Sequence, residues 1–410
     1  MFKKKVLGIT ASVALLISLC GCDLFHKNDN DSSVQISDSN SGNNYNSDNL
    51  WNDEEVSNKV AEINAYIDSY FYFETDEEMQ EEAIYDGIMS GLDDPYSVYY
   101  TAEEYADLME TNSGEYVGVG AVVTQDVDMI ISVVRPVPGS PAEEAGIMAE
   151  DIIVQVDDLV VTDQELQFVV DRIRGEEGTT AYIKVFRPSI NDYIEFNVER
   201  RVVENVTVYS EILDGNIGYI QVQQFYENTA TEFITAVEFL QTQDVKGIIV
   251  DLRDNPGGLL NAVVDMCAYI MDGGVVCTTK DKNGTVLKEY GDYDSHTLDM
   301  PMVVLINENS ASASEIFAGA MKDTGKAEIV GMTSYGKGIV QSVIPLSDGT
   351  AIKLTVAKYF TPGGNDIHEI GVSPDYEVEL PDGKISAVNV KREDDSQLKE
   401  AIKVLNKIAR

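Results

Sequence analysis

MVVLINENSASASEIFAGAMKD, Met302 to Asp323, changes pattern abruptly in its middle. Met302 to Ile306 is an unbroken apolar run, as expected of a strand buried on both faces. From Ile316 to Met321 the apolar residues return at helical spacing. Between them stand Ser310, Ser312 and Ser314, each separated by one alanine. A serine at a helix start often does no more than cap it. Only one residue can be the N-cap, so three in alternation require another explanation. A hydroxyl at a strand-to-helix turn sits beside free helical N–H groups that can stabilise an oxyanion, which suits a nucleophile.

The surrounding chain repeats the strand-then-helix order. Ile217 to Val222 reads as a strand, and Phe233, Val237 and Leu240 are helically spaced. Gly247 to Leu252 (GIIVDL) is a second buried strand, followed by a helical stretch from Ala262 to Ile270. Such alternation predicts an α/β layer with parallel strands. Ile352, Leu354 and Val356 alternate and predict a late antiparallel strand. Leu398, Ile402, Leu405 and Ile408 mark an amphipathic helix, a packing or dimer element rather than a membrane binder. In open α/β layers sites gather at the carboxyl ends of the strands. Arg253 to Gly258, Asn307 to Ser314 and Gly331 to Gly338 fall there.

A nucleophilic serine needs a base. The chain has three histidines: His26 in a polar tether, His296 in a polar loop and His368 in a late loop. A Ser-His-Asp set is therefore hard to assemble. Lysine can serve where desolvation disfavours its charged form. Lys337, between Gly336 and Gly338 and followed by Ile339 and Val340, suits this, and Gln341 could hold its amine. The same segment is one residue short of a phosphate-binding loop, because Gly338 stands where a Mg²⁺-binding hydroxyl is required.

Upstream, Val56, Val60, Ile63, Ile67 and Tyr70 fit one helix and Met79, Ala83, Ile84 and Ile88 another, with a shorter helix near Ala102 to Met109. A strand-rich region then runs from about Tyr116 to Val198. Within it Gly118-Val119-Gly120 permits a bend that aims N–H groups outward, a nest suited to a carboxylate, although a tight strand turn would look the same.

A formal charge of −42 makes nucleic acid a poor partner. The start is a processing segment: Lys3, Lys4 and Lys5 precede an apolar stretch, Val6 to Leu19, too short to span a bilayer comfortably. It ends in Leu19-Cys20-Gly21-Cys22, which resembles a bacterial lipobox with Cys22 as the lipidated residue. This predicts an extracytoplasmic chain anchored to the cell membrane by lipid, or a secreted one. From Asp23 to about Leu50 the chain is rich in Asn, Asp and Ser and reads as a tether. Cys267 and Cys277 form no disulfide framework or zinc motif and read as buried free thiols.

Two resemblances organise these pieces. Ser140-Pro141-Ala142, Ala145-Gly146-Ile147 and Asp151-Ile152-Ile153 follow Gly118-Val119-Gly120 in the order of a PDZ domain, with Glu150 where the family has glycine. The region from Ile217 to Tyr376 resembles the carboxy-terminal processing peptidases, or tail-specific serine proteases. Their S-A-S-A-S-E-[IV] stands at Ser310 to Ile316, G-K-G-x-x-Q at Gly336 to Gln341 and D-L-R-x-N-x-G-G at Asp251 to Gly258. T-P-x-G and G-[IV]-x-P-D match Thr361 to Gly364 and Gly371 to Asp375.

The resemblance implies an α/β multidomain protein: a crotonase-like α/β protease core, a mainly β PDZ domain and a small N-terminal helical cap. The implied boundaries are a leader at 1–21, a tether at 22–50, a cap and dimerisation region at 51–113, a PDZ domain at 114–205, the core at 206–378 and a helical extension at 379–410. It makes Ser312 the nucleophile, Lys337 the general base and Gln341 its orienting partner. Ala313 and one of Gly257 and Gly258 would supply the oxyanion N–H groups. Gly118, Val119, Gly120 and Arg174 would meet the peptide. No metal or organic cofactor is implied. Implied partners are protein or peptide substrates with free, apolar C-termini, the membrane through Cys22, and a second copy through the cap and C-terminal regions. The rival reading is a catalytically silent, membrane-tethered PDZ scaffold or chaperone.

Overall fold

The computed structural model describes residues 54–409 apart from 128, 293–296 and 389. The leader, Cys22, the tether, the first cap residues (51–53), His26 and His296 lie outside the described residues. Among the described residues the chain divides into two units, one of 54–102 with 342–355, the other of 103–341 with 356–409.

The first of these is largely helical. It contains α1 (Glu54–Tyr70), α2 (Glu77–Ser90) and a short strand, β1 (Val98–Tyr100). Asp76 starts α2 by accepting the Met79 N–H at 3.1 Å, a side-chain N-cap. β1 pairs antiparallel with Ala351 to Lys353, and Ser97 Oγ accepts the Thr355 N–H at 3.1 Å. Buried apolar residues are few: α1 has none, α2 only Met89. Tyr70, Tyr72, Phe73 and Met79 are all at least 69% exposed.

The larger unit opens with the last eleven residues of α3 (Ala102–Ser113), a helix one turn longer than its sequence pattern indicates. The β-rich region follows: β2 (Glu115–Gly118), β3 (Ala121–Gln125), β4 (Ile131–Pro136), α4 (Pro141–Ala145), β5 (Ile152–Val156), β6 (Leu159–Val160), α5 (Leu166–Ile173), β7 (Thr180–Arg187), β8 (Asp192–Glu199) and β9 (Arg201–Glu204). Strands β3, β4, β5, β7 and β8 form an antiparallel sheet, while β2 pairs only with β9. Inward-facing residues alternate along β7 (Ala181, Ile183 and Val185) and close over Val169 and Ile173 of α5.

The rest forms the α/β layer: β10 (Val208–Leu213), β11 (Ile217–Val222), α6 (Thr229–Thr242), β12 (Ile248–Asp251), α7 (Leu260–Ile270), β13 (Gly274–Lys280), β14 (Val286–Asp292), β15 (Met302–Ile306), α8 (Ala313–Asp323), β16 (Glu328–Gly331), β17 (Ile339–Pro345), β18 (Ala351–Phe360), β19 (Tyr376–Glu377) and α9 (Ser396–Ile408). Its sheet runs β10-β11-β12-β15-β16-β19, parallel from β11 onward with β10 as an antiparallel edge. β15 is buried at every position, which explains its lack of alternation. β18 carries the expected late antiparallel pairing, its far end bonded to β13.

One face of this sheet is covered by α9. Leu398, Ala401, Val404 and Leu405 are buried against Ile249, Val303, Leu305 and Val330. The apolar side of α9 is thus occupied within its own chain, the packing role expected of this helix. The other face meets α6, where Leu240 lies against Gly218, and Phe233 of α6 meets Phe317 of α8 edge-on at 6.1 Å. Cys267 and Cys277 are buried and not joined in a disulfide, and burial pushes the Cys267 thiol well up.

Candidate active site

The three serines divide by what their hydroxyls do. Ser310 Oγ donates to the Leu252 carbonyl at 2.8 Å and accepts the Asn307 N–H at 2.9 Å, tying the turn to the end of β12. Ser314 Oγ donates to the Asn255 carbonyl at 3.0 Å. Both are buried joinery. Ser312 lies between them at the N-cap position of α8, 2% exposed, with φ +54° and ψ −113°. Positive φ in a non-glycine residue is strained and persists only where its surroundings enforce it.

The enforcement comes from Glu315, one turn into α8 and fully buried. Its Oε2 accepts the N–H of Ser312 at 2.9 Å and the N–H of Lys337 at 2.8 Å. Its Oε1 accepts Ser334 Oγ at 2.6 Å and the Gly336 N–H at 2.7 Å. One carboxylate thus clips the serine turn to the lysine loop. Burial raises its pKa above the usual carboxylate value, and the four donors pull it back.

Lys337 is 3% exposed and Gln341 fully buried, on the loop before β17 and within it. Tyr359 closes this loop by donating its hydroxyl to the Lys337 carbonyl. Gly338 admits no side chain, because a Cβ there would strike the backbone of His368. His368 therefore lies along the lysine loop, its N–H donated to Asp366 at 2.9 Å.

The glycine pair at the end of β12 faces the serine. A Cβ on Gly257 would lie 2.8 Å from the Ser312 Cβ and 3.0 Å from the Ala313 nitrogen. The two glycines are not equivalent. The Gly257 N–H is already donated to Asn255 Oδ1 at 2.8 Å. Gly258, at φ +146°, presses on the Phe225 carbonyl, and that backbone pairs with the glycine loop through Phe225 N–H to Gly257 O and Leu259 N–H to Phe225 O. Beside Ser312, a small apolar pocket is lined by Leu260, Ile316, Ile339, Val340 and Tyr359.

In the β-rich region Gly118 and Arg174 come together. The Arg174 Cγ would lie 3.8 Å from a Cβ at Gly118, and its guanidinium sits 5.3 Å from the Tyr116 ring centre. Gly120, at φ +78°, packs on Ser140, whose hydroxyl donates to the Gly120 carbonyl at 2.8 Å. Val119 is 1% exposed and its side chain belongs to the local core, so only its backbone can face a ligand.

Among known proteins, residues 216–378 match Peptidase family S41, and residues 132–187 match the PDZ domain. The chain is 37% identical over 327 residues to the carboxy-terminal processing protease CtpA of Bacillus subtilis, covering 79% of this chain and 69% of that protein. The chain belongs to peptidase family S41. A CtpA-like serine protease of Staphylococcus epidermidis is 39% identical over 323 residues, 78% of this chain but 64% of its own length. An S41 protease structure from Bacteroides fragilis matches at a TM-score of 0.51 and 17% identity, covering 79% of this chain and 90% of that one, which speaks to the fold alone. The protein is thus a serine-type, carboxy-terminal processing S41 peptidase that carries a PDZ domain.

Two parts of this S41 site escape the sequence. Glu315 is visible there only as the last polar letter of a motif, and its fourfold acceptor role needs the loop of residues 334–337 folded back upon it. Arg253 is the other. It is 6% exposed and bonds Asp251, Asp395 and Gln397, joining the glycine loop to the start of α9 across 144 residues. Its signal is an arginine embedded in an apolar strand end, a position that demands paired carboxylates.

Proposed function

We propose that the chain is an extracytoplasmic endopeptidase that works with a Ser312–Lys337 dyad and is gated by its PDZ domain. The observation that carries this reading is the shared Glu315 carboxylate, which fixes the backbones of both residues in one buried place. In the proposed reaction the Lys337 amine takes the Ser312 proton as Oγ attacks the scissile carbonyl. The tetrahedral oxyanion forms against the N–H groups of Gly258 and Ala313; Gly258 is favoured over Gly257 because the Gly257 N–H is committed to Asn255. Lys337 returns the proton to the leaving amine, and water then hydrolyses the acyl-enzyme by the same route reversed. Gln341 orients the amine. The scheme balances without a metal or organic cofactor.

The apolar pocket beside Ser312 supports a small apolar residue on the acyl side of the cut. The pairing of Gly118 with Arg174 supports capture of a free, apolar C-terminal tail at the PDZ edge. The exposed aromatics of α1 and the segment after it support a second copy docking on the cap. The leader and Cys22 support a lipid anchor; no helix among the described residues is long and apolar enough to cross a membrane.

The test uses the full chain and an unstructured protein with an apolar tail. Ser312→Ala and Lys337→Met should fold yet fail to cleave, and Ser312 alone should take up a fluorophosphonate probe. Undiminished cleavage by either variant refutes the dyad. Cys22→Ala should move the protein from the membrane fraction to the medium; unchanged fractionation refutes the anchor.

A further inference from the structure

The edge of β2 already holds a carboxylate. β2 is bonded to β9 along one side only, and its Val117 N–H points the other way, to a side chain of α3. That side chain is Glu110, whose Oε1 accepts the Val117 N–H at 3.1 Å. Its Oε2 lies 3.5 Å from Nη1 of Arg174. A strand-edge N–H beside a glycine bend and a guanidinium is what a terminal carboxylate of a peptide requires. Here a side chain of the same chain occupies both donors.

We infer that Glu110 is an internal stand-in for the substrate's terminal carboxylate, so that tail capture is an exchange of one carboxylate for another. This rests on the reading that the PDZ edge binds free C-termini. The exchange is within reach of a peptide. The Glu110 and Arg174 side chains are 35% and 37% exposed, and an ion pair so open to water is weak. A peptide that brings a carboxylate, strand hydrogen bonds and an apolar side chain outcompetes it; an internal carboxylate with nothing behind it does not.

The position of Glu110 links this exchange to the protease site. Two residues on, the Asn112 carbonyl accepts the Glu227 N–H at 3.2 Å, and the Gly114 carbonyl accepts the Asn205 N–H at 2.7 Å. Glu227 stands two residues after Phe225, whose backbone grips the glycine loop. The Phe225 N–H bonds the Gly257 carbonyl at 3.1 Å, and the Phe225 carbonyl accepts the Leu259 N–H at 2.7 Å. So α3 touches both the peptide edge and the segment that backs the oxyanion glycines.

The experiment measures binding of a short peptide with an apolar C-terminus, as free acid and as amide, to the full chain carrying Ser312→Ala. Adding Glu110→Gln, which keeps an acceptor for Val117 but drops the charge, should tighten the acid peptide by about threefold or more and leave the amide unchanged. Glu110→Ala should do the same, and thermal melts report whether either variant stays folded. With Ser312 intact, Glu110→Gln should also cleave tailed substrate at lower concentrations. If the chain prefers acid to amide but Glu110→Gln leaves the acid affinity unchanged or weaker, the stand-in is refuted while tail capture survives. If neither peptide binds either chain, tail capture itself fails, and the inference with it.

Discussion

Ser312 and Lys337 donate their backbone N–H groups to the same oxygen, Oε2 of Glu315, at 2.9 and 2.8 Å. The two residues come from loops 25 positions apart, which this acceptor ties together beside the backbone bond from the Tyr335 N–H to the Ser310 carbonyl at 3.0 Å. Glu315→Gln replaces an oxygen that accepts by an amide that donates, facing N–H groups that also donate. The variant should stay folded, lose about 100-fold or more in kcat and keep a KM near that of the parent. Steady-state kinetics with circular dichroism check this; full activity in a folded Glu315→Gln chain would show that the clip is dispensable.

The same carboxylate makes stability depend on pH in a particular direction. Its pKa is raised, foremost by burial, above the unfolded value of about 4.3. Between the unfolded and the folded pKa the native chain holds the extra proton. Its contribution is therefore complete below the unfolded value and is lost as pH rises through the folded one. Denaturation midpoints of the parent, compared with Glu315→Gln from about pH 4 upward, should show a decline specific to the parent. Parallel curves for the two chains would contradict it.

Gly258→Ala places a methyl on the Phe225 carbonyl at a backbone angle of φ +146°, so the glycine loop must move. On the proposed scheme activity should fall by about 100-fold or more, since the Gly258 N–H is displaced from the position assigned to the oxyanion. Gly364→Ala is the control. It shares a positive φ, +78°, but faces open space, and should cost only about 1 kcal/mol of stability while preserving turnover. Equal losses in the two variants would remove the case for Gly258.

Arg253→Met leaves Asp251 and Asp395 buried without their cation; they are 1% and 5% exposed. The expected loss is about 3–5 kcal/mol in urea unfolding. Adding Asp395→Asn should recover part of it, because the two residues share one network. Strictly additive losses would show that the pair is uncoupled.

Much of the fold was legible because it rests on local patterns. The apolar runs at 248–250 and 302–306 read as doubly buried strands, and the alternation at 352–356 reads as a strand, although Ile352 and Leu354 are only half-buried there and Val356 is exposed. The middle serine was singled out by resemblance alone; the structure adds that Ser310 and Ser314 commit their hydroxyls to the Leu252 and Asn255 carbonyls. Contacts between distant segments were not legible. No periodicity links Glu315 to Gly336, Arg253 to Asp395 or Glu110 to Val117, since each depends on side chains meeting after the layers have packed. The commitment of the Gly257 N–H to Asn255 was likewise hidden, because it turns on which way the Asn255 amide points.

The left-handed backbone at Ser312 also limits which alcohol can stand there. Threonine offers an equivalent hydroxyl, but its branched Cβ collides with the main chain at positive φ. A Ser312→Thr enzyme would have the right functional group on a turn that cannot close, whereas cysteine, unbranched, would be tolerated by the elbow. Chemical equivalence and conformational admissibility part company at this position, and the second is the narrower gate.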